Sequence, residues 1–127
     1  MCSSDLDNGI NAGMSSDGMQ IAPMNPWIHM YYATTGLNAL GEQINAGQHI
    51  TRAEVLRLYT RDNGWFLLAE DRLGSIERGK LGDLVVLDRD YFSVPDEEVK
   101  RIRSDLTIVG GSIVHDSGAL RVRGRRR

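Results

Sequence analysis

Asp17 is the side chain whose type and position point most directly to chemistry. It is the one carboxylate in the small-residue turn Gly13-Met14-Ser15-Ser16-Asp17-Gly18, and a short apolar approach leads into that turn. Catalytic groups of (β/α)8 barrels lie where strands end and loops begin, and a carboxylate held there can accept a proton. The residues alone leave a second interpretation open, an Asx turn made by Asp17. No histidine precedes Asp17, so a catalytic Asp17 would need most of its active site from elsewhere.

Three residues close to Asp17 in sequence are candidates to border a substrate pocket, since loops that follow barrel strands often do so. They are Ser16, Asn25 and Trp27. Ser16 is expected to be a turn residue rather than a nucleophile, because no histidine neighbours it in sequence. Trp27 is equally consistent with a place in the hydrophobic core.

The remaining residues show no spacing typical of a metal or phosphate site. Cys2 is the only cysteine, which excludes a CxxC metal motif and an internal disulfide. Gly79-Lys80 lacks the spacing of a P-loop, and no serine or threonine follows the lysine. A catalytic metal site usually needs three protein ligands, and the histidines lie far apart. We therefore predict His29 to be partly buried in an apolar helix, His49 to lie in a loop and His115 to end a strand.

The first part of the chain, up to about residue 70, is predicted to be helical. Asn25-Pro26 marks the start of a helix over residues 27–34, because proline suits the first helical turn. Thr51 and Glu54 have the spacing of a capping box, which predicts the start of a second helix. The apolar stripe that follows is expected to face the core; it consists of Val55, Leu56, Leu58 and Tyr59.

The continuation of this second helix is predicted to be a separate one. Residues 62–64, Asp-Asn-Gly, interrupt the helical pattern. Residues 65–69 then continue as a more fully apolar helix. The spacing places Tyr59, Trp65 and Phe66 in the core rather than on a surface that stacks on nucleic-acid bases.

After about residue 71 the pattern changes from helical to strand-rich. Residues 83–88 are a compact β-branched run, which predicts a buried strand. Residues 95–102 begin with proline and three acidic residues, which favours a short helix. Two apolar runs, 106–109 and 112–115, are separated by Gly110-Gly111 and predict a β-hairpin with a two-residue turn.

Length and charge exclude several classes of protein. The chain has 127 residues, whereas a complete (β/α)8 barrel needs roughly 200 or more. Its net charge is −2, which gives no reason to expect nucleic acid or an anionic membrane as a partner. The last seven residues hold five of the fifteen basic side chains. A short terminal arginine run is typical of a solvated, disordered end, with nucleic-acid binding as the alternative.

The sequence contains no apolar run of the roughly 18 residues that a membrane helix requires. Its N-terminus lacks the basic and apolar regions of a signal peptide. These features favour the cytoplasm, while an export signal on a segment upstream of Met1 stays open. Residues 1–6 are polar and resemble the translation of a common sequencing adapter, so we interpret them as a non-native leader outside the fold.

Four collinear segments resemble the C-terminal end of the amidohydrolase superfamily, of the amidohydrolase-3 type, which includes N-substituted formamide deformylases. The strongest is Gly79-Lys80-Leu81-Gly82-Asp83 with the strand that follows it. Together the segments cover about residues 7–115; they are 15–18 with 25–27, 50–60, 73–90 and 107–111.

The resemblance implies an α/β fold that is a C-terminal fragment of a (β/α)8 TIM barrel. Residues 10–17 would be the eighth barrel strand, and residues 51–69 the outer helices that follow it. Residues 73–115 would be strands of the flanking β-sandwich, which in this family is shared with N-terminal strands. The corresponding division is a leader at 1–6, the barrel end at 7–70, sandwich strands at 71–116 and a basic tail at 117–127.

The resemblance also implies roles for site residues. In this family the aspartate that ends the eighth strand contacts the metal and acts as general base, and that role maps onto Asp17 alone. The other ligands, a His-x-His pair, a lysine or glutamate and two further histidines, come from strands that have no counterpart in this sequence. The implied cofactor is a divalent metal, expected to be zinc, in the full-length enzyme and not in this chain alone.

The expected function is that of a metal-dependent hydrolase that cleaves C–N bonds of small amides or formamides with metal-activated water. This chain alone is expected to be inactive. The expected partners are the missing N-terminal barrel portion or a complementary chain; a homo-oligomer stays open. The alternative is a non-catalytic interaction module or one half of a split enzyme, because the expected barrel-facing residues would expose apolar surface.

Overall fold

The computed structural model describes residues 3–20, 22–38 and 40–120. The described elements follow one another as α1 (Ser3–Asp7), α2 (Pro26–Thr35), α3 (Arg52–Tyr59), α4 (Arg61–Phe66), β1 (Leu84–Leu87), α5 (Asp96–Val99), β2 (Ser104–Val109) and β3 (Ser112–Asp116). The predicted mixed α/β class is thus confirmed. Cys2 and the arginine-rich residues 121–127 lie outside the described residues. Within the described part, no helix has the length and apolar content needed to cross a membrane.

Helix α2 begins where Asn25-Pro26 predicted it. The side chain of Asn25 accepts a hydrogen bond from the Trp27 N–H at 3.0 Å, and Pro26 occupies the first turn, where its missing N–H leaves no intrahelical bond unmade. Asn25 is therefore the N-cap of the helix.

Helix α3 begins with the predicted capping box. Glu54 Oε2 accepts from the Thr51 N–H at 2.7 Å, and Thr51 Oγ1 accepts from the Glu54 N–H at 3.3 Å. The two bonds satisfy backbone donors that the first helical turn leaves free. The apolar stripe faces the core as expected, with Val55 fully buried and Leu58 nearly so.

The predicted break at residues 62–64 and the helix at 65–69 are wrong. The break falls at Thr60, whose φ of −122° and ψ of −88° leave the helical region, and α4 runs through the Asp-Asn-Gly triplet. The reason is that the polar residues have partners outside the helix backbone. Asp62 pairs with Arg57 at 3.3 Å, and Asn63 donates to the backbone of Met14.

Trp65 and Phe66 were expected in the core, and this expectation is also wrong. Their exposed fractions are 48% and 53%, and the two rings contact each other edge to face with centroids 5.0 Å apart. Tyr59 does pack against the core cluster. An apolar run at the end of a helix is buried only where a second layer covers it, and the described residues leave this end of α4 open to solvent.

The three strands form one antiparallel sheet in the order β1-β2-β3. The hairpin of β2 and β3 is confirmed, with Gly110 and Gly111 at φ of 57° and 81° in its two-residue turn, a conformation that strongly favours glycine. The expectation of a buried β1 is wrong, because Leu84, Val85 and Val86 are exposed by 37%, 50% and 39%. Among the described strands β1 is an edge strand that pairs with β2 alone.

The core joins the helical and the strand-rich parts of the chain. Its buried side chains come from both sides of residue 71; they are Met30, Tyr31, Ile50, Val55, Leu58, Tyr91, Val99 and Ile102. The domain boundary expected near residue 71 therefore stays a prediction. Residues 1–6 were expected to lie outside the fold, yet Ser3–Asp7 forms α1, and Leu6 packs against the core cluster.

Arg52 ties α3 to the segment between β1 and α5. Its guanidinium donates to the carbonyl oxygen of Tyr91 at 2.6 Å and to that of Val94 at 2.7 Å. It also pairs with the Asp96 carboxylate at 2.7 Å, and it lies over the Tyr91 ring at 5.8 Å. Two backbone carbonyls and one carboxylate thus share a single, mostly buried side chain.

Residues 10–17, expected as a barrel strand, form no regular strand among the described residues. An extended segment becomes a strand only where a neighbour supplies ladder hydrogen bonds. Among the described residues, this segment lies against α3 and α4 instead, and the backbone of Met14 makes hydrogen bonds with both helices.

Candidate functional site

Within the stretch from Gly13 to Gly18, residues 16–18 form a tight turn, here called the Asp17 turn, and Ser16 closes it. The Ser16 hydroxyl oxygen accepts from the Gly18 N–H at 3.0 Å, which is the role expected of a turn residue. Asp17 itself is exposed and has a φ of 46°, in the left-handed region that aspartate tolerates better than most residues. Ser16 rather than Asp17 therefore makes this turn bond, and the Asp17 carboxylate faces solvent.

The segment before the turn is anchored on the α3–α4 helix pair. The Met14 N–H donates to the Leu58 carbonyl oxygen at 3.1 Å, and the Met14 carbonyl oxygen accepts from Asn63 Nδ2 at 3.0 Å. Ala12 and Met14 also pack against the core cluster. The backbone is thus held in place at Met14, three positions before Asp17.

Asn25 and Trp27, the other pocket candidates, have structural partners. The Asn25 side chain is occupied as the N-cap of α2. Trp27 is half-buried and packs against the core cluster, with its ring 5.9 Å from that of Tyr91. The structure therefore gives both residues a role in the fold, and their place beside a substrate stays a prediction.

The histidines lie where the sequence predicted them. His29 is partly buried in α2 with Nδ1 3.0 Å from the Tyr59 hydroxyl, and its Nε2 is buried without a hydrogen-bond partner among the described residues. His49 is exposed in a loop. His115 lies on β3 with Nε2 3.1 Å from the Ser104 carbonyl oxygen.

The described residues do not fit a metal centre by themselves. No group of three or more histidine, cysteine, aspartate or glutamate side chains within them could hold a metal ion. Asp17 is a single carboxylate, and one carboxylate falls short of the three protein ligands usual in a catalytic zinc site. Any metal held at Asp17 would need ligands from residues other than those described.

Asp17 lines neither of two sizeable cavities that open on the described surface. The first, of about 570 Å³, lies beside α1, α3 and α4. The second, of about 770 Å³, lies between α2 and α5. In the second cavity Glu97 accepts from the Tyr31 hydroxyl and pairs with Lys100 at 2.5 Å. The bond to Glu97 raises the pKa of Tyr31, while the bonds from Lys100 and then Tyr31 lower the pKa of Glu97.

Asn63 is the residue near the site that sequence reasoning missed. The sequence predicts a helix break at Asn63, whereas its amide donates a hydrogen bond to the carbonyl oxygen of a residue 49 positions earlier. No local pattern could have found this contact, because only the fold brings Met14 beside α4.

Comparison with known proteins covers nearly all of the described chain. Residues 3–115 match the sequence model described as "Amidohydrolase family". The N-substituted formamide deformylase of Arthrobacter pascens is 28% identical over 111 residues, which are 87% of this chain and 20% of that protein. The crystal structure of an amidohydrolase from Thermotoga maritima MSB8 superposes with a TM-score of 0.61 at 22% identity, over 87% of this chain and 24% of that one.

These figures set the extent of the likeness. The chain spans about a fifth of the curated relative and about a quarter of the solved structure. At 22% identity the structural match indicates a shared fold and no more. The resemblance to the amidohydrolase-3 type that the sequence segments indicated is confirmed.

Proposed function

The chain belongs to the amidohydrolase family, and on that premise we propose that it forms the C-terminal part of a hydrolase that cleaves C–N bonds of small amides or formamides. The observation that carries the proposal is the match of residues 3–115, which includes the Asp17 turn. The curated relative is named for the removal of formyl groups from N-substituted formamides, which supports this substrate class. We place residues 7–70 at the end of the barrel and residues 71–116 in the flanking sandwich.

Asp17 is the proposed general base and metal contact of that hydrolase. Its carboxylate is exposed and lies at a turn that Ser16 closes, so it is available to a group approaching from outside this chain. A carboxylate in that place can take a proton from the attacking water, a step that typically contributes about 10²–10⁴-fold to the rate. Ser16, Asn25 and Trp27 are proposed to border the substrate.

We propose that the 127 residues are inactive alone. The proposed zinc ion would need ligands from the N-terminal barrel portion, either on the same polypeptide or on a complementary chain. The span of about a fifth of the curated relative supports this division of the site. A cytoplasmic location, and the absence of nucleic-acid and membrane partners, remain part of the proposal.

The test compares the chain alone with the chain joined to a barrel portion. The nucleotide sequence upstream of Met1 shows whether the reading frame continues into further barrel strands, and the extended protein is then expressed beside the 127-residue chain. We expect formamide hydrolysis and bound zinc in the extended protein only. Substantial hydrolysis by the purified 127-residue chain, with metal bound, would overturn the proposal of an incomplete site.

The role of Asp17 is tested in the extended protein with a matched pair of variants. Asp17→Asn keeps the size and the left-handed backbone but removes the base, so we expect hydrolysis to fall by about 10²-fold or more. Asp71→Asn makes the same chemical change at an exposed aspartate outside the turn and should leave the rate unchanged. Equal rates for the two variants would exclude Asp17 as the base.

One observation favours a second function, that of a non-catalytic interaction module or half of a split enzyme. Residues 65–68 are four consecutive large apolar side chains with exposed fractions of 48%, 53%, 67% and 86%. Contiguous apolar surface of this kind is typical of a site that binds a partner. Co-purification with a separate chain that carries a His-x-His strand would support the split enzyme. A monomer that binds no hydrophobic dye would contradict the interaction function.

A further inference from the structure

We propose that Asn63 positions Asp17. It does this by holding the segment that leads into the Asp17 turn, which contains Gly13 and Met14, against α4. The catalytic meaning of this role rests on the proposed function, since that function makes Asp17 the base. The positioning itself is a property of this chain and can be measured on it.

The first support is the hydrogen bonding of Met14. Its N–H donates to the Leu58 carbonyl oxygen at 3.1 Å, and its carbonyl oxygen accepts from Asn63 Nδ2 at 3.0 Å. Residues 10–17 lie in no strand of the described sheet. The two backbone groups of Met14 are therefore held by helices, and one of the two bonds comes from a side chain that a substitution can remove.

The second support is the fit of Asn63 against Gly13. A Cβ placed on Gly13 would lie 2.2 Å from Asn63 Oδ1 and 2.9 Å from Phe66 Cε2. Contacts this short do not occur in folded proteins, so any larger residue at position 13 would have to displace the Asn63 and Phe66 side chains. The Asn63 amide thus contacts the segment with both of its polar atoms, through a hydrogen bond to Met14 and through close packing on Gly13.

The third support is the short distance along the chain to Asp17. Asp17 lies three positions after Met14, a span of at most about 11 Å when fully extended. The Ser16 bond to Gly18 constrains the end of that span. A shift at Met14 is therefore passed on to the carboxylate, and a displacement of about 1 Å can cost about 10²-fold in the rate of an enzyme.

The test begins with nuclear magnetic resonance of the 127-residue chain. Asn63→Ala removes the donor, and Asn63→Asp replaces it by an acceptor that faces the Met14 carbonyl. Both should speed amide hydrogen exchange at Met14 by about five-fold or more and should move the Asp17 carboxylate carbon and Gly18 amide resonances. These folded-state resonances would not move if Asn63 contributed only to global stability.

A matched control removes an asparagine whose side-chain hydrogen bonds lie elsewhere in the fold. Asn38 accepts from the backbone of Leu40 and of Glu42 and donates to the Glu42 side chain, so Asn38→Ala should leave the Asp17 and Gly18 resonances in place. Wild-type resonances at Asp17 in Asn63→Ala would overturn the proposal. If Asn63→Ala does not fold, Gly13→Ala serves in its place, because it keeps Asn63 but pushes its side chain away from the segment. Gly13→Ala should move the Asp17 and Gly18 resonances. Resonances that stay in place would overturn the proposal equally.

Kinetics of the extended protein separate this proposal from the proposed function. We expect Asn63→Ala to lower kcat by about 10²-fold with KM little changed, and Asn38→Ala to change neither. If Asp17→Asn abolishes hydrolysis while Asn63→Ala keeps the wild-type kcat, the positioning role is overturned. If the resonances move but Asp17→Asn hydrolyses normally, the proposed function fails and Asn63 still positions Asp17.

Discussion

Replacing Leu68 by glycine should stabilise the chain, because Leu68 occupies a helix-ending position that favours glycine. The Leu68 N–H donates to the Trp65 carbonyl oxygen at 3.1 Å, and the Ala69 N–H donates to the Gly64 carbonyl oxygen at 3.0 Å. This pair of bonds defines a Schellman motif, whose left-handed residue is usually glycine. Leu68 fills that position with a φ of 52°.

The size of the effect follows from three contributions. Relief of the left-handed conformation is worth about 1.5 kcal/mol, and the greater freedom of glycine in the unfolded chain costs about 0.75 kcal/mol. The Leu68 side chain is 86% exposed, so losing its small buried part costs about 0.3 kcal/mol. We expect a net gain of about 0.5 kcal/mol, or about 2 °C in Tm for a chain of this length.

Thermal unfolding followed by circular dichroism measures this difference, with two variants as controls. Leu68→Ala keeps a Cβ in the left-handed conformation and should bring no gain. Leu67→Gly changes a comparably exposed neighbour whose φ of −88° is right-handed, so it should lower Tm by about 2–4 °C. A Tm for Leu68→Gly at or below that of Leu68→Ala would refute the reasoning.

Three further predictions follow, two on the capping box and one on a buried tyrosine. Thr51→Ala should lower the free energy of unfolding by about 1 kcal/mol, measured by calorimetry against Thr51→Ser as control; equal stability would contradict the cap. Hydrogen bonds from Thr51 lower the pKa of Glu54, so Glu54 stabilises the fold above its unfolded-state pKa, and this stabilisation is lost as the pH falls through the folded-state pKa. In Glu54→Gln the free energy of unfolding should therefore fall less steeply at acid pH than in the wild type. An unchanged acid pH dependence would exclude the effect. Burial raises the pKa of Tyr91 to about 12, so the free energy of unfolding should fall as the pH rises from about 10 towards 12. Tyr91→Phe should remove this dependence. An ultraviolet titration in which all tyrosines ionise together near pH 10 would contradict the raised pKa.

The elements that the sequence predicted well are those set by local chemistry. Asn25 with Pro26, Thr51 with Glu54, and Gly110 with Gly111 each act over a few residues, and each fixes a helix start or a turn regardless of what packs nearby. Such signals can be recognised without knowledge of the tertiary structure, because the hydrogen bonds they make lie within the same segment.

The predictions that failed depended on neighbours distant in the sequence. An apolar run indicates burial only if another layer covers it, so Trp65, Phe66 and β1 were assigned to the interior although the described residues leave them exposed. The triplet that contains Asn63 predicts a helix break, because the partner that keeps Asn63 in the helix, Met14, is remote in the chain. At the candidate site, the sequence predicts Ser16 as a turn residue, but the groups that anchor the segment before Asp17 are brought together only by the fold.

The contacts of Arg52 have a consequence for how the protein opens. Because one guanidinium holds two backbone carbonyls between β1 and α5 to the first turn of α3, that segment cannot detach while the helix stays in place. Local openings on the two sides of residue 71 are therefore coupled into one cooperative unit. A protease that cuts near residue 71 would release no independently folded strand-rich piece. The stability of that piece depends on its contacts with α3.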